Sequence, residues 1–187
     1  MRHPDGSPWW EVLLGDMIKA GMRLTQVAPD AFPLSIPRLG ADDGSITAAQ
    51  ERLGQALDTQ LETLLRLADG WELAFLSGDL FSTEELGQGT RWSDAQQSLD
   101  AFYAEADSVS WPPRSELVPI HASPHDTDVM ALWMGGPTTE DGHPVIYFSG
   151  GPIDQWPNTY EWWLAMLLLQ RTSLDYVMRL GGRSPAS

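Results

Sequence analysis

Leu117-Val118-Pro119-Ile120-His121 is followed by Asp128-Val129-Met130-Ala131-Leu132-Trp133-Met134 and then by Val145-Ile146-Tyr147-Phe148-Ser149. Each run is short, rich in apolar, β-branched or aromatic residues, and bounded by turn formers, which is the pattern of a strand. The intervening Gly135-Gly136-Pro137-Thr138-Thr139-Glu140-Asp141-Gly142 has loop composition and predicts an antiparallel pair. Gly150-Gly151-Pro152 predicts the end of the sheet.

Downstream, Asn158 with Glu161 three residues later predicts a helix N-cap. Trp162–Leu169 is apolar nearly all round, so this helix is expected to be deeply buried, to close at Gly181-Gly182 and to leave a loose tail. Upstream, Ser93 and Gln96 form a capping box for a helix whose apolar face is Leu99, Phe102, Tyr103 and Ala106, with Trp111-Pro112-Pro113 as a rigid exit. Thr83-Glu84-Glu85-Leu86 reads as one helical turn, and Trp71–Phe81 as a strand or hairpin broken at Gly78-Asp79.

Thr47 with Gln50 predicts a further capping box, and Leu53, Leu57, Leu61, Leu64 and Ala68 line one face of a single helix from Thr47 to Asp69, roughly 33 Å long. Asp69-Gly70 would stop it. Nearer the N-terminus, Ser7-Pro8 starts a helix carrying Trp10, Leu13, Leu14, Met17 and Ile18, with Gly21 as its expected end. Pro29, Pro33 and Pro37 make residues 28–44 an irregular connection. The order is helices, short strands, a helix, strands and a helix. It does not alternate, so the expected class is α+β, a mainly antiparallel twisted sheet flanked by helices. Residues 1–44 read as an extension packed on a main domain at 45–182, with 183–187 as a flexible tail.

Composition narrows the function. Eleven basic against 26 acidic residues give a net charge of −15, which repels nucleic-acid phosphates and anionic membranes, and either serves solubility alone or attracts a basic protein partner. There is no cysteine, so disulfides and thiolate metal sites are excluded. The longest apolar run has eight residues, against roughly 20 for a membrane span. Met1–Gly6 lacks the apolar stretch of a secretion signal, and a cytoplasmic location is expected.

No phosphate-binding glycine loop occurs, and the only lysine is Lys19. Phe148-Ser149-Gly150-Gly151 places a serine after a strand, without the Gly-x-Ser-x-Gly pattern of a nucleophile elbow. The most enzyme-like cluster is His121, His125, Asp126 and Asp128, with the right donors for a divalent metal in a hydrolase. Pro124 prevents the helix that would put both histidines on one face, so a polar turn is the simpler reading. No cofactor is expected.

One segment carries a resemblance. Ile46-Thr47-Ala48-Ala49-Gln50-Glu51-Arg52-Leu53-Gly54-Gln55-Ala56-Leu57 leads into Leu61–Trp71 and then Leu80-Phe81-Ser82-Thr83-Glu84-Glu85-Leu86. An early Glu, a Leu-Gly, an apolar run ending in Asp-Gly, then Leu-Phe and an acidic turn resemble the SUKH superfamily, which includes a fungal cell-wall synthesis regulator and bacterial immunity proteins. The likeness covers Ser45 to Leu180. It departs from the family where Asp58-Thr59-Gln60 follows Leu57, since a proline is common there. It implies a SUKH-like α+β fold without catalysis, and a protein that binds and neutralises a toxin domain, often a nuclease. A regulatory or scaffold module of the same fold is the alternative. The contact face is expected around Asp69, Trp71, Glu84, Glu85 and Trp133, combining acids with aromatics.

Overall fold

A computed structural model describes residues 9–75, 78–105 and 110–181. The chain divides into two compact units, Pro37–Trp162 and a second made of Met1–Ile36 with Trp163–Ser187.

The larger unit is built on a six-stranded antiparallel sheet. Its strands are β1 (Trp71–Phe75), β2 (Gly78–Leu80), β3 (Leu117–Ala122), β4 (Val129–Trp133), β5 (Val145–Phe148) and β6 (Pro152–Trp156), in spatial order β1-β2-β3-β4-β5-β6. Every neighbour in space is a neighbour in sequence, although the β2–β3 connection carries α4 and the β4–β5 connection is a long loop. With its helices this is the α+β architecture expected from the order of elements.

β3 is buried along its whole length, and four of the five residues of β4 are buried. Alternation sends successive side chains to opposite faces. His121 and Met130 are cross-strand partners on one face, where Trp162 lies 6.3 Å from the His121 ring and donates its indole N–H to Met130 Sδ at 2.9 Å. Ala122 and Val129 are the next pair and face the other way, toward α4 (Thr90–Glu105), whose buried side chains are Ala95, Leu99 and Phe102.

The structure splits the single helix expected from Thr47 to Asp69. It forms α2 (Asp43–Leu53) and α3 (Thr59–Leu67). Gly54 takes a left-handed conformation, φ +68°, and its N–H closes the end of α2 on Gln50 and Glu51. Asp58 then starts α3 by accepting from Gln60 N and Leu61 N. The capping boxes also move. Asp42, not Thr47, caps α2 by accepting from Ser45 N at 2.7 Å, while Thr47 bonds inside the helix to Asp43 O. Ser93 lies within α4 and donates to Gly89 O. In both cases an earlier residue reaches the free N–H groups, or the helix begins earlier, and the later hydroxyl falls back on a carbonyl four residues behind.

β6 is a strand where Gly150-Gly151-Pro152 was expected to end the sheet. Gly150 turns the chain at φ +72°, and a strand opening with proline is tolerated because β6 lies at the edge. Thr83–Leu86 is a turn closed by Leu86 N donating to Ser82 O.

In the second unit, α1 (Trp10–Val27) runs past Gly21, since Ala20 and Leu24 continue its buried face. One interior glycine costs only about 1 kcal/mol against alanine. The helix α5 (Thr159–Gly181) places its first turn in the larger unit and the rest in this one. Within the second unit, Asp16 of α1 pairs with Arg171 of α5 at 2.8 Å. Trp162, Trp163, Met166 and Leu167 are buried, but Leu168 and Leu169 are exposed, so α5 is not buried all round. The expected start at Ser7-Pro8, Ala106 and the expected closing Gly182 lie outside the described residues.

Gly78 shows how closely β2 is fitted. The His121 ring stacks on Phe75 with centroids 4.6 Å apart and planes 1° from parallel. A Cβ on Gly78 would lie 2.2 Å from His121 Cε1 and 2.6 Å from Nε2. Gly78→Ala must push the ring out of its stack or lift β2. We expect a loss of about 2 kcal/mol in urea denaturation. An unchanged midpoint would show that the hairpin yields freely.

Candidate protein-binding cleft

A cleft of about 380 Å³ opens between α4 and the turn joining β3 to β4. Ser123 N donates to Asp128 O across the base of that turn, and His125 N donates to Ser123 Oγ. This leaves Pro124, His125, Asp126 and Thr127 projecting into solvent. The side chains that line the cleft come from four places in the chain. Asp79 is on β2, Arg91 and Asp94 on α4, Asp126 in the turn, and Asp128 next to β4. Four carboxylates against one guanidinium give it a formal charge of −3. Phe81, Ala95, Ala122 and Val129 supply an apolar floor.

Its carboxylates differ in how they are held. Asp128 accepts from the Tyr147 hydroxyl at 2.6 Å. Burial, then this carboxylate, push the Tyr147 phenol up to about 12. Asp79 is buried, accepts from Leu73 N at 2.8 Å and faces Arg91 at 3.1 Å. Arg91 also reaches Glu85 at 3.1 Å and Glu72 at 3.5 Å, and Arg38 pairs with Glu72 at 3.2 Å and Glu85 at 3.9 Å. Exposed pairs are worth little one at a time. Here the two arginines bridge shared acids, so the group orders the rim between the cleft and β1.

The residues expected to form a contact face fall into two places. Asp69 accepts from Thr83 N at 2.6 Å and Thr83 Oγ1 at 2.8 Å, and Glu85 accepts from Ser82 N and Ser82 Oγ. Both therefore hold the turn after β2, and Glu84 on the same turn is exposed. Trp71 pairs with Leu80 and is only 2% exposed, so it belongs to the core beneath that turn. Trp133 is half-buried on β4, three strands away from β1, roughly 14 Å across the sheet. Its indole N–H donates to Glu116 Oε2 at 2.8 Å.

The enzyme-like cluster is also divided. His125, Asp126 and Asp128 line the cleft. His121 points to the opposite face of the sheet, buried against Phe75 and Trp162 with Nε2 on the Phe75 carbonyl at 3.3 Å. Burial lowers its pKa to about 4. Strand alternation causes this separation: His121 and Ala122 are adjacent and face opposite ways. Among the described residues, no group of three or more His, Asp or Glu side chains is placed to hold a metal ion. Among the described residues, too, no helix is long and apolar enough to cross a membrane.

Asp79, Arg91 and Asp94 carry no local signal as a site. Single charges on a strand and a helix become a cleft only when β2, α4 and the β3–β4 turn converge. Comparison with known protein families finds no matching family model, and comparison with characterised proteins finds no relative.

Proposed function

We propose that this chain is a non-enzymatic protein-binding domain, an immunity-type protein of the SUKH kind that binds and neutralises a basic toxin domain in the cytoplasm. The carboxylate-lined cleft on a chain of net charge −15 carries this reading. A cleft of one sign focuses the field and raises the rate at which an oppositely charged partner arrives. A nuclease domain, whose own substrate is a polyanion, has the basic surface such a cleft suits. The sequence resemblance to SUKH immunity proteins supports the same class of partner.

Tagged protein captured from its native lysate at low and high salt is the first test, with partners identified by mass spectrometry. A single stoichiometric basic partner, released by salt, is expected. With that partner purified, Asp94→Lys combined with Asp126→Lys should slow association about tenfold and flatten its salt dependence. Equal association rates for the parent and the doubly substituted protein would remove the cleft from the binding surface.

A further inference from the structure

We propose that Leu39 and Leu73, each next in sequence to one member of the Arg38–Glu72 ion pair, are the apolar anchors of the partner surface. This rests on the protein-binding reading above and adds where the partner makes dry contact.

Leu39 is 93% exposed, yet its backbone is tightly held. Arg38 N donates to Gly70 O at 3.0 Å, Asp69 N to Leu39 O at 3.3 Å and Ala41 N to Leu65 O at 2.9 Å. Next to it, a Cβ on Gly40 would fall 1.9 Å from Arg66 O, so the segment is pressed against the end of α3. Leu39 therefore stands out from a fixed backbone, and little ordering entropy would be lost when a partner covers it.

Leu73 gives a second, independent observation. It lies at φ +51°, a left-handed conformation that leucine rarely adopts, and its side chain is 37% exposed. The buried Asp79 carboxylate holds its N–H at 2.8 Å. Glycine or asparagine would sit there with less strain and better solvation. A strained, surface-facing apolar residue next to the cleft's own network is the kind of outlier that points to use.

The two leucines are linked through their sequence neighbours. Arg38 and Glu72, their sequence neighbours, pair at 3.2 Å. The surface charges of the same segments are Asp69, Glu72, Glu84 and Glu85 against Arg38 and Arg91, four acids less two arginines, for a formal −2. An apolar centre within a charged rim is the anatomy of a specific interface. The charge of the rim commits the occupant to a basic protein surface with an apolar pocket between cationic side chains.

The test uses the full chain with benzoylphenylalanine placed at position 39, at 73, or, as a control, at exposed Ile153 on β6, the far edge of the sheet. Irradiation in native lysate should attach the same salt-sensitive basic protein at 39 and 73 and nothing at 153. With that protein purified, Leu39→Ala and Leu73→Gly should each weaken binding about tenfold, and Ile153→Ala should leave it unchanged. Leu73→Gly should at the same time raise the melting temperature by about 2–4 °C, so a loss of binding is not a loss of fold. A basic partner that attaches only at 153, or binds Leu39→Ala and Leu73→Gly like the parent, overturns the anchors and leaves the binding role standing. No partner at any position, together with none in direct capture, overturns both.

Discussion

Asp58→Ala is expected to destabilise the larger unit by about 3–5 kcal/mol, lowering its melting temperature by about 10 °C. Asp58 is buried, and both carboxylate oxygens are occupied. Oδ1 accepts from Gln60 N at 3.0 Å, Leu61 N at 2.9 Å and Thr159 Oγ1 at 3.4 Å. Oδ2 accepts from His143 N at 2.7 Å and lies 2.9 Å from His143 Nδ1. One side chain therefore starts α3, holds the loop before β5 and reaches the start of α5. Removing it leaves buried donors without partners, which costs more than the bonds themselves contribute. Neighbouring bonds deepen the coupling. Gln60 Nε2 donates to Glu140 O at 2.7 Å, and Tyr160 N donates to Gln60 Oε1 at 2.9 Å. His143→Ala removes only the imidazole and should cost about 1 kcal/mol, because its backbone N–H still reaches Asp58. Urea melts of the two variants check both figures. A cost for Asp58→Ala below about 1 kcal/mol would mean that the three segments hold together without it.

The second large effect is in acid. In the unfolded chain the His121 side chain titrates near 6.5, whereas in the fold burial keeps it neutral down to about 4. Between those values the unfolded chain binds a proton that the folded chain does not. Stability from the neutral, stacked ring is therefore fully present above pH 6.5 and falls as the pH drops toward 4. The gap corresponds to about 3 kcal/mol. Carboxylate titration will add its own slope below pH 5, so the comparison is with His121→Phe, which keeps an aromatic ring against Phe75 and cannot take the proton. Its denaturation free energy should vary less between pH 7 and pH 4.5 than that of the parent, by about 2–3 kcal/mol. Parallel pH profiles would show that His121 is protonated in the fold at no cost. The same measurement bears on function, because a histidine this deep in the core cannot join His125 at the cleft.

The architecture was legible because its signals are local. Continuous apolar runs between turn formers mark β3, β4 and β5, and Asn158 caps α5 by accepting from Glu161 N at 2.9 Å, as its spacing predicts. Strands that follow one another in the chain tend to lie side by side, and here they form an antiparallel meander even though α4 intervenes between β2 and β3. Charge, too, is a property of the chain alone, and the net −15 is read directly from the sequence. The break between α2 and α3 was legible only in part. Gly54 and Asp58 are both visible as stop and start signals, but continuous leucine periodicity argues for one helix. The contest is settled by His143 and Thr159, which lie 85 and 101 positions from Asp58 and bind its carboxylate.

The candidate site was less legible than the fold for the same reason. Glu84 and Glu85 were readable as an acidic turn and Asp126 as part of a polar one, but Asp79 on β2, Arg91 and Asp94 on α4 and Asp126 in the β3–β4 turn come from three segments that no spacing rule links. Trp71 and Trp133 look alike in sequence, yet one is core and the other is half-exposed on a distant strand. Burial depends on which face is covered and by what. Leu73 reads as an ordinary strand residue, but it lies where the β1–β2 register shifts, in a left-handed backbone with its N–H on the Asp79 carboxylate. The sequence by itself determined the class of fold, the antiparallel pairing of β4 with β5 and the net charge of the chain, since each follows from near neighbours or from a sum over the chain. The tertiary structure alone decided where helices break, which histidine is buried and which acids share a cleft, because those depend on hydrogen bonds and packing between residues far apart in the chain.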